Sequence, residues 1–598
     1  MTFRNFAPSK QINMKKALLL GALLLGALLF GTLPHTMAQT KTVNLRIVET
    51  SDVHGYFFPY DFVNRKPLEG TLMRINTYVN HLRNQYGENL LLIDNGDILQ
   101  GQPTCYWSNY VMTTDQNIAA RMVNYMGYDA ETIGNHDVEP GHAVYDKWIR
   151  EVRCPILGAN VVEKENGQPY LKPYALFVRD GVKIAVIGLL TPTIPCWLNE
   201  SVYEGLEFHE MVSCAKKWVK QVREVEHADL VIGLFHSGKE GGLVLNGAEE
   251  DATARVAREV PGFDIIFYGH DHQVHNEWIK NTEGKQVLTL DPSCFAVNVA
   301  DAQICLTYEK GKLKKKDIKG DVVSVRKEQI DEQMSQYFQP DFNRIKSYVD
   351  RKIGHFETTV STRDCFFGNS AFSDFIHSLQ LSISGADISF NAPLAFDSKI
   401  EAGDVTMADM FKLYRFENKM YVLNMTGKEV LGHLEESYDR WVNTMKRPED
   451  HLLLLNDASK EDQQRTGFLN YTFNFDSASG IDYEVDVTKP NGQKVRILRM
   501  SNGAPFQMNK TYKVVMNSYR GNGGGDLLTK GAGIPKEEIN SRIIYQSPLD
   551  LRHYLTQEIE RLGNVNPQAA HNWKFIPEEW TIPAAKRDYK QLFGGEKQ

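Results

Sequence analysis

At 598 residues, 42% hydrophobic and 24% charged, the chain has the length of several domains and the composition of an ordinary globular protein, which excludes collagen-like, coiled-coil and wholly disordered classes. Seven cysteines exclude a disulfide-dense scaffold. A balance of 67 basic against 75 acidic residues argues against a cationic protein that coats nucleic acid.

The first element is a leader. Arg4, Lys10, Lys15 and Lys16 precede an apolar run from Ala17 to Leu33, and Thr36-Met37-Ala38 supplies small residues for cleavage, the layout of a secretory signal peptide with Met14 as a candidate start. The competing reading is an uncleaved anchor, since the run sits at the lower edge of a span. Without the leader, 63 basic residues face 75 acidic ones, a balance of −12. The expected location is exported, in the periplasm or at the cell surface of a bacterium, with no stable membrane insertion after cleavage. Cys105, Cys154, Cys196, Cys214, Cys294, Cys305 and Cys365 include no CxxC pair, and an odd count leaves at least one unpaired; buried apolar packing is the expectation.

From Val43 to about Val325, apolar runs alternate with helical patterns as in βαβ units. VNLRIVE, NLLLID, DAETIG, KIAVIGLL, DLVIGLF and DIIFYG predict strands, several of them apolar throughout, as for strands covered on both faces. Glu309 to Lys319 predicts a closing hairpin, and Arg326 to Gly354 a helical connector interrupted at Gln339-Pro340. A second unit begins near His355. Its helix on Phe372, Phe375, Ile376, Leu379 and Ile383 stops at Gly385, ADISF follows as a strand, and Thr406 with Asp409 caps a short helix. KMYVLNM predicts a strand and Lys428 to Trp441 a helix. FLNYTFNFD, IDYEVDV, VRILRM and TYKVVMNSYR form a strand-rich stretch, Ser547 to Leu562 is the last predicted helix, and an irregular tail runs from Gly563.

Five of the predicted strands end in Asp, Asn or His, where open α/β sheets gather ligands. Asp52, His54, Asp97, Asn135, His236, His270 and His272 are seven candidate donors. That is too many for one tetrahedral site and suits two borderline cations sharing a carboxylate. Two cations about 3.5–4 Å apart activate a bridging water and clamp the attacking and leaving oxygens of a phosphoryl displacement. His136, beside Asn135, is free to stabilise the transition state or protonate a leaving group. A lone Asp-x-His is usually a hydrogen-bonded pair; five such strand ends in βα order are not. His142, His209, His227 and His275 have no comparable context.

The order D-V-H-G, N-G-D, G-N-H-D, F-H-S, G-H-D-H resembles the bimetal calcineurin-like metallophosphoesterases, and the whole mature chain resembles the two-domain 5'-nucleotidase and 2',3'-cyclic-nucleotide phosphodiesterase family. The resemblance implies an α/β protein: an N-terminal four-layer αββα metallophosphoesterase sandwich and an α+β C-terminal 5'-nucleotidase-type substrate-binding domain. The expected division is a signal peptide at 1–38, a metallophosphoesterase domain at 39–325, a connector at 326–354, a nucleoside-binding domain at 355–562 and a tail at 563–598. It implies two divalent metal ions such as zinc or manganese, one on Asp52, His54, Asp97 and His272, the other on Asp97, Asn135, His236 and His270, with Asp97 bridging. His136 matches the catalytic histidine. Glu139 stands where the nucleotidases carry the acidic partner of that histidine, one methylene longer and followed by Pro140.

In the second half, Phe416 and Tyr519 match the two rings that sandwich the base, Asn418 a residue supporting it, and Asp526 the acidic residue holding the ribose. Where 5'-nucleotidases carry a glycine-rich stretch with a phosphate-holding Arg, this chain has Asn391-Ala392-Pro393-Leu394-Ala395-Phe396. With LYRFEN and NSYRGNGGGD, this resembles the cyclic-nucleotide phosphodiesterase and 3'-nucleotidase branch. A second departure is Asp291 to Ala296 (DPSCFA), where relatives usually carry glycines. The implied function is an exported metal-dependent nucleotide phosphoesterase hydrolysing 2',3'-cyclic nucleotides and 3'-nucleotides through a metal-bridging hydroxide. The alternatives are a 5'-nucleotidase or nucleotide-sugar hydrolase of the same family and, more remotely, a sulfur-ester hydrolase or a non-enzymatic exported nucleotide-binding protein. Nucleotides are the expected partners, and no nucleic-acid polymer is.

Overall fold

The computed structural model describes residues 40–456 and 467–594, so the expected signal peptide lies outside the described residues. The chain divides into two compact units. The smaller comprises 1–44 and 304–317; its described part holds the start of the first strand and the turn at Lys310-Gly311 between strands Asn298–Glu309 and Lys312–Ser324, the expected hairpin. The larger, 45–303 with 318–598, carries everything that follows.

Its N-terminal half is a sandwich of two mainly parallel sheets. In the first, β1 (Thr40–Thr50), β2 (Leu90–Asp94), β3 (Ala130–Thr132) and β4 (Ile156–Leu157) lie side by side and parallel. Helices α1 (Leu72–Tyr86), α2 (Ile118–Met126) and α3 (His142–Glu151) cover its outer face with Met73, Val79, Met122 and Trp148. The start of α1 is fixed by Thr71, whose side chain accepts from the Met73 amide, and Asn117 caps α2 in the same way.

The second sheet contains β5 (Tyr174–Arg179), β6 (Val182–Leu190), β7 (Leu230–His236), β8 (Ile265–Tyr268), β9 (Val274–Lys280) and β10 (Gln286–Pro292), in the order β9-β10-β8-β7-β6-β5. Its central strands are parallel and its two edges antiparallel. Helices α4 (Met211–Lys220) and α5 (Thr253–Glu259) pack on its outside through Ala215, Val219, Val256 and Ala257. Every residue of β7 is buried, which is why the run carries no polar alternation. Gly188 on β6 sits where an added Cβ would collide with Leu157 of the facing sheet, so the close approach of the sheets needs glycine there. Each fully buried Leu, Ile or Val in these layers stabilises the fold by about 1.5–3 kcal/mol.

Helix α6 (Glu332–Val349) corrects one expectation, because it runs unbroken through Pro340. Its buried stripe of Met334, Phe338, Ile345 and Val349 joins the core of the first sheet, and Arg121 binds Asp341 at 2.9 Å and lies over the Phe338 ring. That packing offsets the roughly 3 kcal/mol a mid-helix proline costs.

In the C-terminal half a five-stranded sheet is built from β12 (Ile388–Asn391), β13 (Lys419–Thr426), β14 (Ser477–Ser479), β17 (Thr511–Asn517) and β18 (Ile543–Asp550), in the order β14-β12-β17-β13-β18; β11 (Lys352–Phe356) precedes it in a separate small sheet. Helices α7 (Ala371–Ser384) and α10 (Leu551–Leu562) cover one face and α9 (Gly427–Trp441) the other; α8 (Met407–Leu413) leads into the loop before β13. Asp409 accepts from the Thr406 amide at 2.9 Å, as its spacing predicts.

Two expectations fail here. FLNYTFNFD is not a strand: it forms one tight helical turn, Thr472–Asn474, because Phe468 and Phe475 sink into the core while the backbone curls around Arg520, which donates to the Phe473 carbonyl at 2.8 Å. The residues after Gly563 are no irregular tail. β19 (Trp573–Ile576) adds a parallel strand to β15 (Ile481–Asp486), itself paired with β16 (Val495–Met500), and α11 (Glu578–Phe593) buries Ala584, Ala585 and Tyr589. The last predicted helix also starts later than Ser547, at Leu551 behind an Asp550 cap. Among the described residues no helix is long and apolar enough to cross a membrane, and all seven cysteines are free.

Candidate active site

The five strand ends converge. Asp52 and His54 follow β1, Asp97 follows β2, Asn135 and His136 follow β3, His236 closes β7, and His270 and His272 follow β8. Five of the seven predicted donors hold left-handed backbone: Asp52 at φ 51, His54 at 48, Asp97 at 57, His270 at 81 and His272 at 60. Non-glycine residues avoid this region, and clusters of such strain persist where the surroundings dictate them, typically at functional sites. Close approach enforces it: a Cβ on Gly269 would collide with Ser51 Oγ and Asp52 Oδ2, and one on Gly134 with the Asp97 carboxylate.

The hydrogen bonds at the back of each imidazole fix which nitrogen faces the centre. His54 Nδ1 lies 3.2 Å from the Gln100 carbonyl and 3.1 Å from Gln100 Oε1, two acceptors, so Nδ1 carries the proton and Nε2 is a lone pair. His236 Nδ1 donates to the Asn95 carbonyl at 2.7 Å, leaving Nε2 facing Asn135 Oδ1 at 2.9 Å and Asp97 Oδ2 at 3.3 Å. His270 Nε2 donates to Glu250 Oε1 at 3.0 Å and turns Nδ1 to Asn135 Oδ1 at 2.8 Å. His272 Nε2 lies 3.2 Å from both His54 Nε2 and Asp52 Oδ1.

Lone pairs thus face lone pairs. Asp52 Oδ1 is fully buried and makes no hydrogen bond. Such an arrangement is stable only with positive charge among the donors. Burial alone would discharge His236, yet the Asp97 carboxylate raises its pKa to about 10. Burial, with His272 and His136 nearby, pushes His54 down to about 3 despite Asp97. Against burial, Asp52 and Glu250 likewise push His272 and His270 up, so the cluster attracts positive charge to its centre, a demand that divalent cations would meet. Two donor groups, Asp52 with His54 and His272, and Asp52 with Asp97 and His236, are each close enough to hold one ion. Imidazole and carboxylate donors fit a divalent cation of the zinc or manganese kind.

Sequence reasoning missed the supports of these donors. Asp137 accepts from the amides of Asp97, Gly134, Ile98 and Leu99 at 2.8–2.9 Å and so sets the Asp97 loop. Glu250 and Gln100 orient His270 and His54, and Phe295 stacks on Tyr56 at 4.7 Å beside the His54 and His272 rings. The DPSCFA departure is where this packing occurs: Ser293, Phe295 and Ala296 all have positive φ. His136, the expected catalytic residue, donates its own amide to Asp97 Oδ1 at 2.8 Å, and its Nδ1 meets Glu139 Oε2 at 2.6 Å.

In the C-terminal half, Phe416 and Tyr519 are both half-buried. The Tyr519 ring meets Phe473 edge-on at 6.0 Å, and Glu250 is among the groups acting on its hydroxyl. Asn418 is buried and accepts from Ser518 Oγ at 3.3 Å; Asp526, at φ 62, pairs with Lys530 at 2.8 Å. At the end of NAPLAF, Phe396 packs on Phe593 and Phe468, so an aromatic cluster occupies the stretch that differs from the glycine-rich Arg-bearing pattern.

Comparison with known proteins defines the class first. Residues 45–274 match the calcineurin-like phosphoesterase family, hydrolases of ester bonds that depend on divalent metal. Residues 352–530 match the 5'-nucleotidase C-terminal domain. The chain thus carries a calcineurin-like phosphoesterase domain followed by a 5'-nucleotidase C-terminal domain. It is 25% identical to the 2',3'-cyclic-nucleotide 2'-phosphodiesterase/3'-nucleotidase of Haemophilus influenzae over 90% of this chain and 89% of that protein. It is 27% identical to protein UshA of Escherichia coli over 66% of this chain and 76% of that one. The fold is shared with a 5'-nucleotidase precursor from Thermus thermophilus (TM-score 0.60, 19% identity, 90% of this chain and 100% of that one) and with a Staphylococcus aureus protein crystallised with alpha-ketoglutarate (TM-score 0.71, 22% identity, 89% and 99%).

Proposed function

We propose that this chain is an exported nucleotide phosphoesterase using two divalent cations, with 2',3'-cyclic nucleotides and 3'-nucleotides as preferred substrates. The observation that carries the reading is the convergence of seven donors, among which His54, His236 and His270 are each held by an outer hydrogen bond that turns the other ring nitrogen inward. In this reading Asp52, His54, Asp97 and His272 would hold one cation and Asp97, Asn135, His236 and His270 the other, with Asp97 common to both sets. When bound, the cations supply Lewis-acid polarisation of the phosphoryl oxygens and a nucleophile at neutral pH.

The chain's own residues do the rest. Glu139 engages His136 Nδ1, fixing the ring and leaving Nε2 to hold a proton for the departing oxygen. Against the effect of burial, Asp97 and Glu139 push the His136 pKa up, and Glu139 does so through the hydrogen bond to Nδ1. Phe416 and Tyr519 stack the base, a contribution of roughly 1–3 kcal/mol each, with Asn418 supporting it and Asp526 at the ribose. The cyclic and 3' preference is supported by Phe396 in place of an Arg and by the name of the Haemophilus relative. A 5'-nucleotidase is the second reading, favoured by the match of residues 352–530 to the 5'-nucleotidase C-terminal domain. Export rests on the leader from Arg4 to Ala38.

The test is hydrolysis of nucleotides before and after chelation. The reading expects EDTA to abolish turnover and added manganese or zinc to restore it; hydrolysis that survives both EDTA and His136→Ala contradicts it.

A further inference from the structure

Arg552, at the start of α10, is fully buried. Its Nε donates to the Tyr414 carbonyl at 3.0 Å, Nη2 to the Arg415 carbonyl at 2.7 Å and Nη1 to Glu417 Oε1 at 3.0 Å. These acceptors are successive points of the loop from Tyr414 to Asn418, the loop that carries Phe416. The guanidinium also lies over two rings, Phe411 at 4.0 Å and Tyr106 at 4.8 Å. Phe411 belongs to the C-terminal half. Tyr106 belongs to the catalytic half, and its hydroxyl donates to Asp550 Oδ2, on the residue that caps α10, at 3.1 Å.

Tyr106 in turn lies in the short helical segment Pro103–Tyr106 that follows the loop leaving Asp97. Within that loop Gln100 holds the His54 ring, the Gln102 amide donates to the His54 carbonyl at 2.9 Å, and Cys105 Sγ donates to the Ile98 carbonyl at 3.3 Å. One planar cation therefore joins the segment behind the donor cluster to the loop behind the base.

We propose that Arg552 is a positioning residue for the nucleotide: it holds the Tyr414–Asn418 loop in the conformation that presents Phe416 and, through Tyr106, fixes that loop relative to the Asp97 loop. The proposal rests on the reading of Phe416 as a base-stacking ring. Only a guanidinium fits the role. Its rigid fork serves three acceptors in one plane while its faces remain free for two rings, and an ammonium is a point charge that cannot do both. Removing it also leaves the Glu417 carboxylate, whose side chain is only 9% exposed, without its cation.

The test is steady-state kinetics of the metal-loaded full-length protein on 2',3'-cyclic AMP and on p-nitrophenyl phosphate, which has no nucleoside. Arg552→Lys is expected to raise KM for the cyclic nucleotide about tenfold while kcat/KM for p-nitrophenyl phosphate stays within about twofold. Tyr106→Leu is expected to raise the nucleotide KM about threefold and Tyr106→Phe, which keeps the ring, to leave it near wild type. If Arg552→Lys does not fold, the Tyr106 pair decides. An unchanged nucleotide KM in Arg552→Lys and Tyr106→Leu overturns the proposal, as does an equal loss on both substrates. Phe416→Ala is measured alongside. A raised KM there with none in Arg552→Lys overturns the positioning role alone; no effect in Phe416→Ala overturns the nucleoside pocket itself.

Discussion

His136 Nδ1 lies 2.6 Å from Glu139 Oε2, so the longer acidic side chain reaches its histidine even with Pro140 behind it. The pair is the usual carboxylate–imidazole arrangement in which one nitrogen is anchored and the other works. His136→Ala is expected to lower kcat by about 10²–10⁴-fold, the range of general acid catalysis. Glu139→Gln, which keeps the shape and loses the charge, is expected to lower it by about tenfold. Metal content by elemental analysis should be unchanged in both, since neither side chain is among the seven donors; loss of metal would move them into the metal site.

Gly269 allows Ser51 and Asp52 to lie against the backbone that carries His270 and His272. Gly269→Ala is therefore expected to weaken metal binding by about 10–100-fold, the scale of disturbed supports around a metal site. Calorimetric titration of the apo-protein with manganese reads this directly. Wild-type affinity in the variant would mean that the collision relaxes without moving Asp52.

A buried ion pair lies directly behind Tyr519, with the Arg520 guanidinium over its ring, and holds that part of the C-terminal half together. Burial disfavours charge on Asp476, but Arg520, donating through Nε at 2.8 Å, and His433, at 2.8 Å, hold its pKa at about 2. The folded-state value is depressed, so the stabilisation is fully present above the unfolded value near 3.8 and is lost as pH falls through about 2. Asp476→Asn is expected to cost about 3–5 kcal/mol at neutral pH, because Arg520 stays buried without its partner. Thermal melts of the variant and wild type at pH 7 and at pH 2.5 check both statements: the gap between them narrows at the lower pH.

The residues after Gly563 complete a separate three-stranded sheet and part of the C-terminal core, since β19 pairs with β15 and α11 buries Ala584 and Tyr589. Truncation after Leu562 exposes Trp573's partners Tyr483 and Tyr438, and is expected to give protein that is insoluble or lacks a cooperative melt. A soluble truncation with a wild-type melting temperature would contradict the packing.

The site was more legible than the fold around it, for a physical reason. Donors at parallel strand ends leave a local mark, because a short apolar run followed by Asp, Asn or His is rare and five of them in order are distinctive. The supports leave none: Asp137, Glu250 and Gln100 act through distant backbone or ring nitrogens, and only the fold brings them there. Arg552 reads as an ordinary helical arginine until Tyr106 and Glu417 surround it. The errors in secondary structure share one cause. Pro340 and Pro583 each sit inside a helix that tertiary packing sustains, and FLNYTFNFD has the composition of a strand but bends around Arg520.

The most direct test of the central claim is a substrate panel with defined metal: kcat/KM of the manganese- or zinc-loaded protein on 2',3'-cyclic AMP, 3'-AMP and 5'-AMP. The predicted result is faster turnover of the cyclic nucleotide and 3'-AMP than of 5'-AMP, abolished by EDTA. Turnover of 5'-AMP far above the other two would contradict the substrate assignment, and turnover indifferent to EDTA would contradict the metal centre.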